Sequence, residues 1–163
     1  MKLYLVRHPE TERNASGELS GWERSEYSKK GERQFEKILG YLSNIHLPIY
    51  SSDLKRVKKL AEKLAKTRNV GITIDKRLRE INCKETLPHD SYETDKELGN
   101  RVREFLDDKP EDSIIISHAG VVRWITTILC GKDKGNTINN FERDTIFKIE
   151  TVKNRNKLSK IKV

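Results

Sequence analysis

At 163 residues the chain has the length of one domain and too little for two sizeable cores, so a single domain over 1–163 is expected. Charged residues (36%) outnumber hydrophobic ones (34%), and no apolar run approaches the roughly 18 residues of a membrane span, which excludes a helical membrane protein. The net charge of +8 favours anionic partners such as phosphate esters, nucleic acid or an acidic membrane surface, but 33 Lys and Arg interleaved with 25 acidic residues resemble solvated helix faces more than a binding stripe.

The elements are expected in the following order. Leu3 to Val6 is a short continuous apolar run, the pattern of a strand buried on both faces of a parallel-type sheet. Asn14 to Tyr27 reads as a loop. Phe35, Ile38, Leu39 and Leu42 recur at helical spacing, and Ile49-Tyr50 after Pro48 forms a second strand. Leu54, Val57, Leu60, Ala61, Leu64 and Ala65 trace a second helix, followed by a strand at Ile72 to Ile74. After a loop from Asn82 to Tyr92, Thr94-Asp95-Lys96-Glu97 is a capping-box signature. The helix it opens turns Leu98, Val102, Phe105 and Leu106 inward and ends at Asp107-Asp108-Lys109-Pro110. Ile114 to Ile116 repeats the buried-strand pattern, a helix runs from about Val121 to Leu129 and stops at Gly131, and Thr145 to Ile149 and Leu158 to Val163 read as strands towards an edge. Strands alternating with helices predict an α/β fold, a three-layer α/β/α sandwich with a mostly parallel central sheet.

Cys83 and Cys130 are far apart, with no Cys-x-x-Cys pair and no histidine at ligand spacing, so neither a disulfide scaffold nor a metal site is indicated. The N-terminus runs straight into an apolar run without a signal-peptide pattern, and a cytoplasmic location is expected.

In open α/β sheets ligands collect beyond the carboxyl ends of the strands, and the chemistry-bearing residues all fall there. Arg7 and His8 close the first strand, Ser51 to Asp53 the second, and Ser117 and His118 the run at Ile114 to Ile116. Arg56 lies in the first turn of the next helix, and Ala119-Gly120 lets backbone N–H groups at a helix start approach an anion. Two histidines, two arginines and a helix N-terminus make an oxyanion pocket.

These segments resemble the histidine phosphatase superfamily, which includes the cofactor-dependent phosphoglycerate mutases, over nearly the whole chain. Leu5-Val6-Arg7-His8-Pro9-Glu10-Thr11 followed by Asn14 is similar to its L-V-R-H-G-E-T-x-x-N signature. Tyr50-Ser51-Ser52-Asp53-Leu54-Lys55-Arg56 is similar to its S-S-x-L-x-R segment, Leu78-Arg79-Glu80 to its L-x-E, and Ser117-His118-Ala119-Gly120-Val121-Val122-Arg123 to its S-H-G-G-x-x-R. The resemblance implies that His8 is the nucleophile of a metal-independent phosphomonoesterase and is transiently phosphorylated, and that no cofactor is required. It implies two guanidinium groups, Arg7 and Arg56, and a His118 imidazolium on the phosphoryl oxygens, with Asn14 and the Ala119 backbone as further donors. Glu80 is then the general acid and base. There are two departures. Pro9 replaces the usual Gly and removes an N–H that could face the phosphate. After Glu80 the chain reads Ile81-Asn82-Cys83-Lys84-Glu85 instead of the Trp-Glu-Gly stretch frequent in the family phosphatases.

Each residue also has a plainer reading. His46 and His89 match no motif and read as packed or solvated. Arg7 in isolation is a strand-end ion pair, Arg56 one charge among many, Asn14 a turn residue, and Ser51, Ser52 and Asp53 helix caps. Trp22 resembles a family position near the substrate entrance but in isolation reads as packing over the core edge, and Trp124 reads as structural.

The expected partner is a small-molecule phosphate monoester or a phosphorylated protein side chain. One alternative is a phosphoglycerate mutase, but only about a dozen residues separate Glu80 from the Thr94 helix, too few for a large water-excluding lid. The other is a non-catalytic nucleic-acid-binding module using Lys55, Arg56, Lys58, Lys59, Lys63, Lys66 and Arg68, against which stands the lack of interleaved aromatics. The family is often dimeric, and nothing in the sequence locates an interface.

Overall fold

The computed structural model describes residues 1–82, 92–108, 112–136 and 143–163. Alternation along the first strand, β1 (Lys2–Arg7), sets the architecture. Tyr4 and Val6 join one buried cluster and Leu3 and Leu5 another, so a continuous apolar run supplies two cores at once. The first cluster is completed by α2 (Lys29–Leu42) and α3 (Lys55–Arg68), the second by α4 (Asp95–Asp108) and α5 (Ala119–Cys130). Helices thus cover both faces of the sheet, giving the expected three layers.

The sheet has six strands in the order β3-β2-β4-β1-β5-β6. Here β2 is Ile49–Ser51, β3 Ile72–Ile74, β4 Ser113–Ser117, β5 Thr145–Val152 and β6 Arg155–Lys162. The first four are parallel, with Leu3 opposite Ser113 and Arg7 opposite Ser117. The last two form an antiparallel hairpin beside β1, with Val6 opposite Ile146. Lys153 and Asn154, both at positive φ (48° and 61°), make the tight turn between them. Because β5 runs antiparallel to β1, its amino end reaches the same edge of the sheet as the carboxyl ends of the other strands. Among the described residues no helix is long and apolar enough to cross a membrane.

The capping box at Thr94 forms: the Glu97 N–H reaches Thr94 Oγ1 at 3.2 Å, and the Thr94 N–H reaches the Glu97 carboxylate at 2.7 Å. Elsewhere boundaries shift. A one-turn helix, α1 (Glu12–Ala15), opens the expected loop at Asn14 to Tyr27; a single turn is too short to leave an apolar period in the sequence. α5 begins at Ala119, two residues before its apolar stripe, because His118 is its N-cap. A short α6 (Lys132–Asn136) follows Gly131. Between its ends the expected loop from Asn82 to Tyr92, with Cys83 and His89, lies outside the described residues, as do Lys109 and Pro110.

Candidate active site

His8 follows β1 directly, and its N–H donates to the Ser117 carbonyl at the end of β4 (3.0 Å). Its ring is buried, and Nδ1 lies 2.7 Å from the Pro9 carbonyl oxygen. A carbonyl can only accept, so Nδ1 carries the ring proton and Nε2 keeps its lone pair, which accepts from Arg56 Nε at 3.3 Å. Burial, then the charges of Arg56 and Arg7, push the His8 pKa well below the ordinary imidazole range.

His118 stands beside it, with ring centroids 5.2 Å apart and planes at 66°. Arg56 Nη2 donates to its Nδ1 (3.3 Å), so Nε2–H points to Ser52 Oγ at 3.1 Å. Burial, followed by His8, Arg56 and Arg7, holds this imidazole neutral too. The expected imidazolium is therefore disfavoured in the anion-free site: a fully buried ring among guanidinium groups binds a second proton only at a large cost.

Arg56, buried at the start of α3, donates to both histidines and to the carbonyls of Glu23 (2.9 Å) and Gly21 (2.5 Å). Gly21 has φ +40°, a conformation that favours glycine, and this turns its carbonyl towards the guanidinium. The Tyr27 hydroxyl donates to the Arg56 carbonyl. The segment from Gly21 to Tyr27 is thus a clamp that fixes Arg56, a function that its loop-like composition does not announce. Asn14, half-buried in α1, is part of that helix's capping box. Its Oδ1 accepts from the Thr11 N–H (3.3 Å), and Nδ2 donates to Ser20 Oγ (3.4 Å). Ser51, the last residue of β2, and Ser52 after it do not cap α3, whose N-cap is Leu54 without a side-chain bond. Ser52 instead binds His118 and the Leu54 N–H, and Asp53 forms a two-pronged ion pair with Arg79 (Nε to Oδ1, 2.7 Å).

Pro9 is accommodated because the next residue is pinned independently. The Glu10 N–H donates to Gln34 (2.9 Å), its carbonyl accepts from the Ser28 N–H (3.1 Å), and its carboxylate accepts from the Ser28 hydroxyl (2.8 Å).

Glu80 arrives from the opposite flank. After β3, a 3₁₀ turn at Lys76–Leu78 buries Leu78, whose carbonyl accepts from Ser117 Oγ at 2.7 Å. Arg101 of α4 donates to the carbonyls of Arg77 (2.6 Å), Arg79 (2.8 Å) and Glu80 (3.2 Å), and Trp22 Nε1 donates to the Glu80 carbonyl at 2.8 Å. Trp22, itself stacked under Arg79 (4.5 Å), is thus a brace for the acidic residue rather than a cover for the core edge. Trp124 packs on Gly99 and joins α4 to α5. A cleft of about 630 Å³, whose lining includes Arg79, Asn82, Tyr92 and the two side chains that hold the Glu80 carbonyl, Trp22 and Arg101, opens on this flank.

The Glu80 carboxylate lies against the first turn of α5, and its charge acts on both Arg7 and Arg56. A Cβ at Gly120 would stand 2.6 Å from Glu80 Oε1 and 3.0 Å from Leu98 Cδ2, so only glycine allows this approach. Gly120→Ala is expected to displace the carboxylate and lower activity on alkyl phosphates by about 10- to 100-fold while the fold persists. Steady-state kinetics beside a circular dichroism melt check this. The first helical bond of α5 runs from the Val122 N–H to the His118 carbonyl, which leaves the N–H groups of Ala119 and Gly120 without an intrahelical acceptor at the site.

Arg7 closes the ring. Burial, together with the charges of Arg143 and Arg56, lowers its pKa to about 10. Arg143, just before β5, belongs to this cluster and sits in no recognisable motif; its placement follows from the antiparallel return of β5. His46 is outside it.

Residues 3–113 match the sequence profile of the histidine phosphatase superfamily (branch 1). Among curated proteins the chain is 39% identical over 83 residues, half of its length, to "Probable phosphoglycerate mutase GpmB" of Salmonella choleraesuis (strain SC-B67), and it spans only 39% of that relative's length. Among solved structures it is similar to the alpha-ribazole phosphatase of Shigella flexneri, with TM-score 0.81 and 19% identity, over 100% of this chain and 96% of that one. A mycobacterial glucosyl-3-phosphoglycerate phosphatase in complex with VO3 gives 0.78 and 18%, over 98% and 96%. A protein of Thermus thermophilus gives 0.75 and 26%, over the whole of both chains. With that profile covering more than half of the sequence, the chain belongs to the histidine phosphatase superfamily.

Proposed function

We propose that the protein is a metal-independent phosphomonoesterase that works through a phosphohistidine on His8. The observation that carries this reading is the state of the His8 ring: buried and neutral, its proton fixed on Nδ1 by the Pro9 carbonyl and its Nε2 lone pair presented beside Arg56. In the first step Nε2 attacks phosphorus, the ester P–O bond breaks, and Glu80 gives its proton to the leaving oxygen. In the second, Glu80 takes a proton from water, which displaces phosphate from the ring and restores the lone pair. Arg7, Arg56 and the first-turn N–H groups of α5 hold the non-bridging oxygens, and neutral His118 donates or accepts among them. No cofactor enters this scheme.

Glu80→Gln removes proton transfer without changing shape. Alkyl phosphate monoesters are expected to lose about 10²- to 10⁴-fold in kcat, and p-nitrophenyl phosphate, whose leaving group needs no proton, much less. Equal losses on the two substrates would remove Glu80 from the acid role. The broader test is a screen of phosphate monoesters in the presence of EDTA. Turnover that survives the chelator is expected, and turnover abolished by it contradicts the metal-free reading.

The curated relative's name favours a second reading, phosphoglycerate mutase. Phosphoryl transfer between phosphoglycerates, dependent on 2,3-bisphosphoglycerate and faster than hydrolysis, would establish it. The nucleic-acid-binding module is disfavoured because Lys55, Lys58 and Lys59 on α3 are each paired with a carboxylate, Glu26, Glu62 and Glu32 respectively.

A further inference from the structure

Five strand ends meet at the site, and four of them deliver residues of the proposed mechanism. β3 leads to Glu80, β2 to Arg56, β4 to His118 and β1 to His8. The fifth, the amino end of β5, delivers Arg143. Antiparallel pairing places Val6 opposite Ile146, so the residues just before β5, Arg143 among them, lie at the same end of the sheet as those that follow β1, His8 and Pro9. Arg143 and Asp144 form the turn that leads into β5, and this turn is tied to the sheet by the Val163 N–H, which donates to the Asp144 carbonyl at 2.9 Å. The Arg143 charge acts on Arg7, His8 and Glu10, which lie together at the end of β1.

Two features make this guanidinium more than a structural ion pair. Among the described residues its buried Nε has no hydrogen-bond partner, and no carboxylate among them stands within ion-pair distance of it. Glu10, the acidic residue nearest in the chain to Pro9, already accepts from the Ser28 hydroxyl and pairs with Lys30. A half-buried positive group held beside the Arg7 guanidinium is costly unless an anion joins it.

We propose that Arg143 is a third guanidinium of the phosphate cradle, donating to a non-bridging phosphoryl oxygen on the β5 side of His8, where Pro9 has no N–H to offer. The choice of a non-bridging oxygen over a second anionic group of the substrate follows from the order of the strands. Glu80 approaches from the β3 side and its carboxylate lies against the first turn of α5, so the ester oxygen that it protonates faces α5 and the oxygen left on the β5 flank is non-bridging. The proposal rests on the phosphatase reading only in taking phosphate as the ligand.

Affinity for inorganic phosphate, measured by titration calorimetry, tests this and requires no turnover. Arg143→Gln is expected to weaken phosphate binding by about 10- to 100-fold, with the melting temperature in phosphate-free buffer unchanged, and Arg143→Lys is expected to fall between it and the wild type. Binding within about twofold of wild type in the Gln variant overturns the proposal. So does a loss confined to the KM of substrates that carry a second anionic group. If Arg143→Gln melts early, Arg143→Lys decides by the same reading, since it keeps the charge and loses the fork. Failure of the catalytic scheme is separable: a chain that binds phosphate through Arg143 and turns over no ester would sink the phosphatase reading and leave this one standing.

Discussion

Replacing His8 by alanine is expected to lower the turnover of every phosphate monoester by on the order of 10⁵-fold or more, whatever the leaving group. The size follows from the role: without Nε2 there is no atom on which the phosphoryl group can rest, and neither Arg56 nor neutral His118 can take its place from where they are held. The same independence from leaving group separates this variant from Glu80→Gln. Kinetics on an alkyl and an aryl phosphate, with protein integrity checked by the thermal melt, measure it; comparable residual activity on either ester would deny His8 the nucleophile's role. The ring's environment adds a pH signature. Burial beside Arg56 and Arg7 depresses the His8 pKa, so as pH falls the lone pair survives through the ordinary imidazole range near 6.5 and is lost only below it. The acid limb of kcat/KM, corrected for substrate ionisation, should therefore show no His8 inflection near 6.5. One located there would mean that the ring is not held as the structure has it.

Removing the Arg56 guanidinium is expected to have the next largest effect. Arg56→Ala should cost on the order of 10³- to 10⁵-fold in kcat/KM, as loss of a guanidinium does in other phosphoryl-transfer sites. One side chain here satisfies four acceptors: the carbonyls of Gly21 and Glu23, His8 Nε2 and His118 Nδ1. Its loss removes charge from the phosphoryl oxygens, frees both rings and opens the clamp from Gly21 to Tyr27. Two buried or half-buried carbonyls left without a donor should also lower stability by about 1–3 kcal/mol. Arg56→Lys restores the charge but cannot span four acceptors, so most of the activity loss should remain. Kinetic constants together with denaturant melts check both parts, and a lysine variant with near wild-type kcat/KM would show that charge alone suffices.

The central elements were legible because each depends on local pattern. The two-faced runs at Leu3 to Val6 and Ile114 to Ile116 can be satisfied only inside a sheet covered on both sides, and residues that follow such strands must collect at one edge. His8, Arg56 and His118 were found on that reasoning, and Thr94 on its cap. What escaped depends on tertiary geometry. The depressed pKa of His118 is set by burial and by four groups brought from distant segments, His8, Arg56, Arg7 and Arg101. Trp22 and Arg101 act on Glu80 through its backbone carbonyl, which no side-chain motif records. Gly21 serves through a positive φ and a single carbonyl, and the serines at the end of β2 look like caps until His118 arrives beside them. Arg143 becomes visible only once β5 is known to return antiparallel to β1, since in the sequence it is one basic residue among 33.

The central claim is that the phosphoryl group rests on the His8 imidazole between two displacements. Rapid acid-free quenching during confirmed turnover of a ³²P-labelled monoester tests it most directly. The expected result is a labelled chain whose adduct is lost in acid, survives alkali, maps to His8 and decays as fast as product forms. Turnover at full rate with no such adduct, or with label on another side chain, would contradict it.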